Sequence, residues 1–300
     1  MIKKSGSAVT APLLVAAVML LLKISELLIS SQLNNSENIY LVTIVIQVIV
    51  YILPCALYYQ MREGKNSDPL LLRPVKPRQL LFVFFVLLMF ITGIVFIDYL
   101  VYYLSGGVSA DVSSGLIFPV QGDEINSSFA FVAFAVVPSV CEELFFRGVI
   151  LNEYRKFGSF NAVILSSLCF SMFHFNLTNF PAYFFAGIVF GFVTVVCRSV
   201  YPAMLLHLIN NFLSIYMSSS FIKLMVQESG LFFVGFVFFI LFSIFLLIVL
   251  SRTESVYYQY SQNPPDDDLP PSSIKNIVTV YLSPSFFLLL GVFTLMVLLD

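Results

Sequence analysis

The chain is dominated by apolar runs of the length that crosses a bilayer. Nine such runs, at about 10–31, 39–61, 79–104, 127–155, 160–176, 180–198, 201–217, 230–250 and 282–299, account for most of the 300 residues. About 17–25 residues rising 1.5 Å each cross a roughly 30 Å hydrocarbon core. Lipid offers the backbone no hydrogen-bond partner, so each run must satisfy its own polar groups as a helix. Composition agrees: hydrophobic residues make up 59% and charged residues 11% of the chain, 33 residues are Phe, and mean hydropathy is +0.95. A soluble domain is about 25% charged, and a water-facing surface cannot be built from this set. The expected fold class is all-α, a polytopic transmembrane helical bundle of about 8–9 spans with a buried polar cavity.

A net charge of -2 excludes electrostatic capture of nucleic acid as a main activity. The four cysteines, Cys55, Cys141, Cys169 and Cys197, sit in or beside apolar runs without a C-x-x-C pattern, so they read as small buried hydrophobes rather than a disulfide framework. Met1-Ile2-Lys3-Lys4 followed by an apolar run resembles a signal peptide. No small-x-small cleavage site clearly follows, and the run reads as a retained first anchor. With nine alternating crossings, Lys3, Lys4, Arg62, Lys65, Arg73, Lys76, Arg78, Arg155, Lys156, Arg198 and Arg252 all fall on one side, while the other carries Glu37, Asp111, Asp123, Glu124 and a single Lys223. The positive-inside rule makes the basic side, and the N-terminus, cytoplasmic.

The expected organisation follows. Residues 1–126 hold the N-terminal spans and a basic cytoplasmic loop; 127–217 form a core; 218–250 hold the following span. Residues 251–281 form a flexible Pro/Asp linker around Pro264-Pro265-Asp266-Asp267-Asp268, and 282–300 hold a C-terminal span that this linker sets apart from the rest. The basic 62–78 loop reads as a topology determinant.

Ionisable groups inside spans cost at least about 2.5–3.5 kcal/mol each and need a reason. Lys23 and Glu26 share a helix face and read as a local ion pair, and Asp98 lies near the outer end of its span. The fourth run is different. In Cys141-Glu142-Glu143-Leu144-Phe145-Phe146-Arg147, Glu143 and Arg147 are four apart and can pair. Glu142 points about 100° away and must find its partner elsewhere. The only two histidines, His174 and His207, also lie in spans, and Asn211 follows His207 by one turn. From the cytoplasmic ends, Glu142 and His174 each lie roughly 21 Å deep, Asn211 roughly 15 Å and His207 roughly 9 Å. Allowing for tilt, they can meet near mid-membrane.

A carboxylate, two imidazoles and an amide are the groups of water-activating hydrolysis. Glu142 can serve as general base, and His174, His207 and Asn211 can orient water or stabilise an oxyanion. Glu142, His174 and His207 are also a chemically sound zinc-ligand set. The H-E-x-x-H helix of metalloproteases is absent, so the sequence does not require zinc, and both versions stay open.

Glu142-Glu143-x-x-x-Arg147, Phe170-x-x-x-His174 and His207-x-x-x-Asn211, in this order and inside membrane helices, resemble the CPBP family: the type II CAAX prenyl endopeptidases and the bacterial bacteriocin-processing or immunity (Abi) proteins. The likeness covers about residues 127–217, with Arg198-Ser-Val-Tyr-Pro-Ala-Met-Leu-Leu-His207 similar to the approach to the third motif. It implies an intramembrane glutamate- or metallo-endopeptidase. In that reading Glu142 activates water with help from His174, His207 and Asn211 stabilise the oxyanion or complete a metal site, and Glu143 and Arg147 support the first motif. The implied substrate is a peptide or membrane protein, and the implied setting a bacterial plasma membrane. Two other readings compete: a proton-coupled transporter, against which the lack of an internal repeat counts, and a noncatalytic immunity or scaffold protein whose motif residues hold the fold together.

Overall fold

The computed structural model describes residues 2–32, 39–61, 70–104, 127–216, 227, 230–262 and 274–299, and among them every regular element is helical. In chain order, α1 is Ile2–Gln32, α2 covers 39–61, α3 is Pro77–Leu104, α4 covers 127–157, α5 is Ser159–Met172, α6 is Phe180–Cys197, α7 is Tyr201–Tyr216, α8 is Leu231–Gln262, α9 is Ile274–Tyr281 and α10 is Pro284–Leu299. The all-α membrane fold is as expected. Five helices among the described residues are long and apolar enough to span: Tyr40–Gln60, Pro77–Leu104, Ser128–Phe157, Phe180–Cys197 and Phe232–Tyr258. Thr10–Ser25, Ser159–Met172 and Pro284–Leu299 are shorter apolar helices. The expected run at 160–176 is thus cut back. Its helix has 14 residues, about 21 Å against a roughly 30 Å core, because the chain turns at Phe173-His174.

α3 packs along α8, α5 along α6, α1 along α10, and α7 against α6 and α4. The α5–α6 contact depends on a small residue. A Cβ on Gly187 would lie 2.8 Å from the Ser167 Cα, so only glycine permits this approach of two backbones. Gly187 and Gly191 form the small-xxx-small spacing common where membrane helices touch. Gly158, at φ 107° between α4 and α5, turns the chain through a region glycine alone enters without steric cost.

Two expectations are corrected here. Residues 251–262 are not linker but the last turns of α8, and 274–281 are helical as α9. No proline lies between Pro202 and Pro264, so none interrupts α8. The end of α8 is also fastened: Tyr260 Oη donates to the Val196 carbonyl at 2.8 Å and accepts from Gln79 Nε2 at 2.8 Å. The Pro/Asp stretch itself, 263–273, lies outside the described residues. Nor is the last helix set apart, since α10 packs on α1 with Leu289 fully buried and Phe293 6.4 Å from Phe180. The proposed Lys23–Glu26 pair also falls partly outside, because the Glu26 side chain is not among those described. Lys23 is buried, with Nζ 5.3 Å from the Phe175 ring centroid.

α4 departs from plain α winding. Val132–Val136 and Leu144–Leu151 are π turns on either side of the α stretch Val137–Glu143, and a third π turn, Val48–Ile52, lies in the adjoining part of α2. Single-turn π segments inside α-helices are frequent at functional sites.

Candidate active site

The charged residues of the fourth run are all buried. Glu143 and Arg147 have no accessible surface, while Glu142 keeps 8%. The i,i+4 pair forms across the start of the π turn, with Arg147 Nη1 donating to Glu143 Oε1 at 2.8 Å. Arg147 Nη2 donates to the Gly187 carbonyl at 3.0 Å, which ties α4 to α6. The guanidinium also lies 4.7 Å from the Phe170 ring centroid and 5.2 Å from that of Phe190, a cation–π setting that favours a desolvated arginine.

Glu143 has a second partner that the sequence spacing did not reveal. His207 Nδ1 on α7 lies 2.9 Å from the same Oε1. A carboxylate only accepts, so Nδ1 is the donor, and the ring is fixed with Nε2 as its remaining nitrogen. His207 is buried between Phe170, at 5.6 Å, and Phe190, at 5.2 Å. Four helices therefore meet at Glu143, Arg147, Phe170, Gly187 and His207.

His174 sits in the turn after α5, followed by Phe175 at φ 48°. Its ring is 5.1 Å from Phe170 and stacked 3.7 Å from Tyr183, and Nε2 is buried without a hydrogen-bond partner among the described residues. It lies within electrostatic range of His207. Glu142 lies within electrostatic range of His207, Arg147 and Tyr183 and makes no hydrogen bond to a described residue. Asn211 follows His207 by one turn of α7, half-buried, and also makes no hydrogen bond to a described residue. The six candidates thus divide. Glu143, Arg147 and His207 form one bonded cluster, while Glu142, His174 and Asn211 stand beside it with polar groups uncommitted to described neighbours.

Among the described residues no group of three His, Cys, Asp or Glu side chains is placed to hold a metal ion, and the bond of His207 Nδ1 to Glu143 leaves Nε2 as the ring's remaining nitrogen. A cavity of about 400 Å³ between α3, α5, α6 and α8 is lined by apolar residues such as Met89, Phe192 and Leu246, and no candidate residue faces it.

Sequence reasoning passed over three residues here. Gly187 was signalled by its spacing to Gly191. Phe170 was noted for its distance to His174, but not as the ring shared by Arg147, His174 and His207. Tyr183 carried no signal short of a structure.

Residues 124–213 match the family model of the Rce1-like type II CAAX prenyl endopeptidases. That stretch contains all six candidates, and the match supports the resemblance to the CPBP, CAAX-protease-like family, a family of proteases. No curated protein and no solved structure matches the chain.

Proposed function

We propose that this chain is an intramembrane endopeptidase in which Glu142 activates a water molecule for attack on a peptide carbonyl. The observation that supports it most is the buried 2.9 Å bond between Glu143 of α4 and His207 of α7. It brings the first and third motifs together next to a second carboxylate that keeps access to its surroundings. In this reading Glu142 takes a proton from water, whose oxygen bonds to the carbonyl carbon. His207, protonated at Nε2 with Glu143 behind Nδ1, and the Asn211 amide donate to the oxyanion. When the C–N bond breaks, Glu142 returns the proton to the leaving amine. His174 orients the water. Glu143 and Arg147 touch no reacting atom; they are positioning residues for His207. The substrate is a peptide or membrane protein, and the setting is a bacterial plasma membrane with a cytoplasmic N-terminus, in a processing or bacteriocin-immunity role.

The test is cleavage of a peptide panel, with and without a C-terminal prenylcysteine motif, by purified protein in liposomes. Glu142→Gln and His174→Ala should each lower kcat by roughly 10²–10⁴-fold, the span of general acid–base contributions. Unchanged cleavage in both variants sinks the mechanism. The noncatalytic reading draws on the same cluster, because Arg147 bonded to Glu143 and to the Gly187 carbonyl is also a structural clamp. It predicts that Glu142→Gln leaves biological activity intact.

A further inference from the structure

We propose that Tyr183 is the positioning residue that sets the plane of the His174 imidazole, an inference that deepens the protease reading and rests on it for its catalytic consequence. The two histidines of the site are held in different ways. His207 lies within α7 and has Nδ1 bonded to Glu143 at 2.9 Å. His174 lies beyond the last turn of α5, its backbone N–H reaches the Ser171 carbonyl only at 3.3 Å, and its Nε2 has no partner among the described residues. Nothing polar described here orients that ring. What does is aromatic contact. The Tyr183 ring lies parallel to it at 3.7 Å between centroids and 11° between planes, and the Phe170 ring meets it edge-on at 5.1 Å and 77°.

Tyr183 is itself well anchored. It sits in the first turn of α6, where its backbone N–H bonds the Asn179 carbonyl at 3.1 Å. Its hydroxyl lies within electrostatic range of the Asn179 side chain and of Asp98 on α3. A fixed ring thus lends its plane to a histidine that lacks a hydrogen-bonded neighbour. That leaves the imidazole nitrogens without a bond to any described residue, which a hydrogen-bonding orienter would not do. The ring carries the effect; the hydroxyl only anchors the ring.

The experiment uses the full chain and two readouts. The chain has 2 His, so protein labelled with ¹³C in histidine gives two imidazole signals, assigned with His174→Ala. In Tyr183→Leu the His174 signal should move as the ring current is lost while that of His207 stays; in Tyr183→Phe both should stay. On a cleaved peptide, Tyr183→Leu should lose on the order of 10²-fold in kcat, the scale of a misplaced catalytic group. KM should stay within about twofold, and Tyr183→Phe should recover kcat to within about threefold, since only transition-state interactions are affected. An unmoved His174 signal in Tyr183→Leu overturns the proposal, as does wild-type kcat in that variant. If the wild type cuts nothing, the signals still decide the orientation and only the proposed function falls. Tyr183→Met replaces the leucine variant should that one not fold, the His207 signal reporting the fold.

Discussion

α4 and α8 are helices of similar length with opposite fates. The spanning stretch Ser128–Phe157 has a hydropathy of 1.8 and a window 61% buried inside the protein; Phe232–Tyr258 has a hydropathy of 3.2 and a window 17% buried. In water the more apolar helix would be the hidden one. Here the surrounding solvent is hydrocarbon, so a helix that faces it must be apolar all round, and Phe232 and Leu247 do face outward. A helix carrying Glu142, Glu143 and Arg147 must instead be enclosed by other helices that supply hydrogen bonds. Three of the six candidate residues thus lie on the least hydrophobic of the five spanning helices among the described residues, and low hydropathy marks the interior.

The contrast can be broken by substitution. The largest effect is expected at Arg147→Met, which leaves the buried Glu143 carboxylate with His207 as its one remaining partner among the described residues. Unfolding in detergent should report about 3–5 kcal/mol of lost stability, and a loss below about 1 kcal/mol would mean that water reaches the pair. Next comes Gly187→Ala. Its Cβ would press on the Ser167 backbone at 2.8 Å, and separating α5 from α6 should cost about 1–3 kcal/mol. Retained stability there would show that the two helices are not locked. The smallest effect is expected at Leu247→Ala on the outer face of α8, within about 0.5 kcal/mol, because lipid chains refill the space. A loss as large as at Gly187 would mean that α8 is covered by protein rather than by lipid.

How far the sequence could be read follows from the kind of information each feature needs. The all-helical membrane architecture was legible because it depends only on run length and composition. The Glu143–Arg147 pair was legible because helix geometry fixes neighbours four residues apart. The His207–Glu143 bond was not, since its partners are 64 residues apart and no periodicity links residues on different helices. The stack of His174 on Tyr183 was hidden for the same reason. The end of α8 was misjudged because polarity rises at Ser251 while no Gly or Pro follows to break the helix before Pro264. The bonds of Tyr260 that fasten this segment come from α3 and α6.

The π turn at Leu144–Leu151 gives α4 an unusual tolerance. It accommodates more chain than the same rise of ordinary helix. In plain helix the loss of one residue swings everything beyond it through roughly 100°. Here one residue can be lost by winding the stretch back to α geometry, and Asn152–Phe157 keep their facing. Tyr154, fully buried, would hold its present packing. At this point the chain can give up length that an unbroken helix could not.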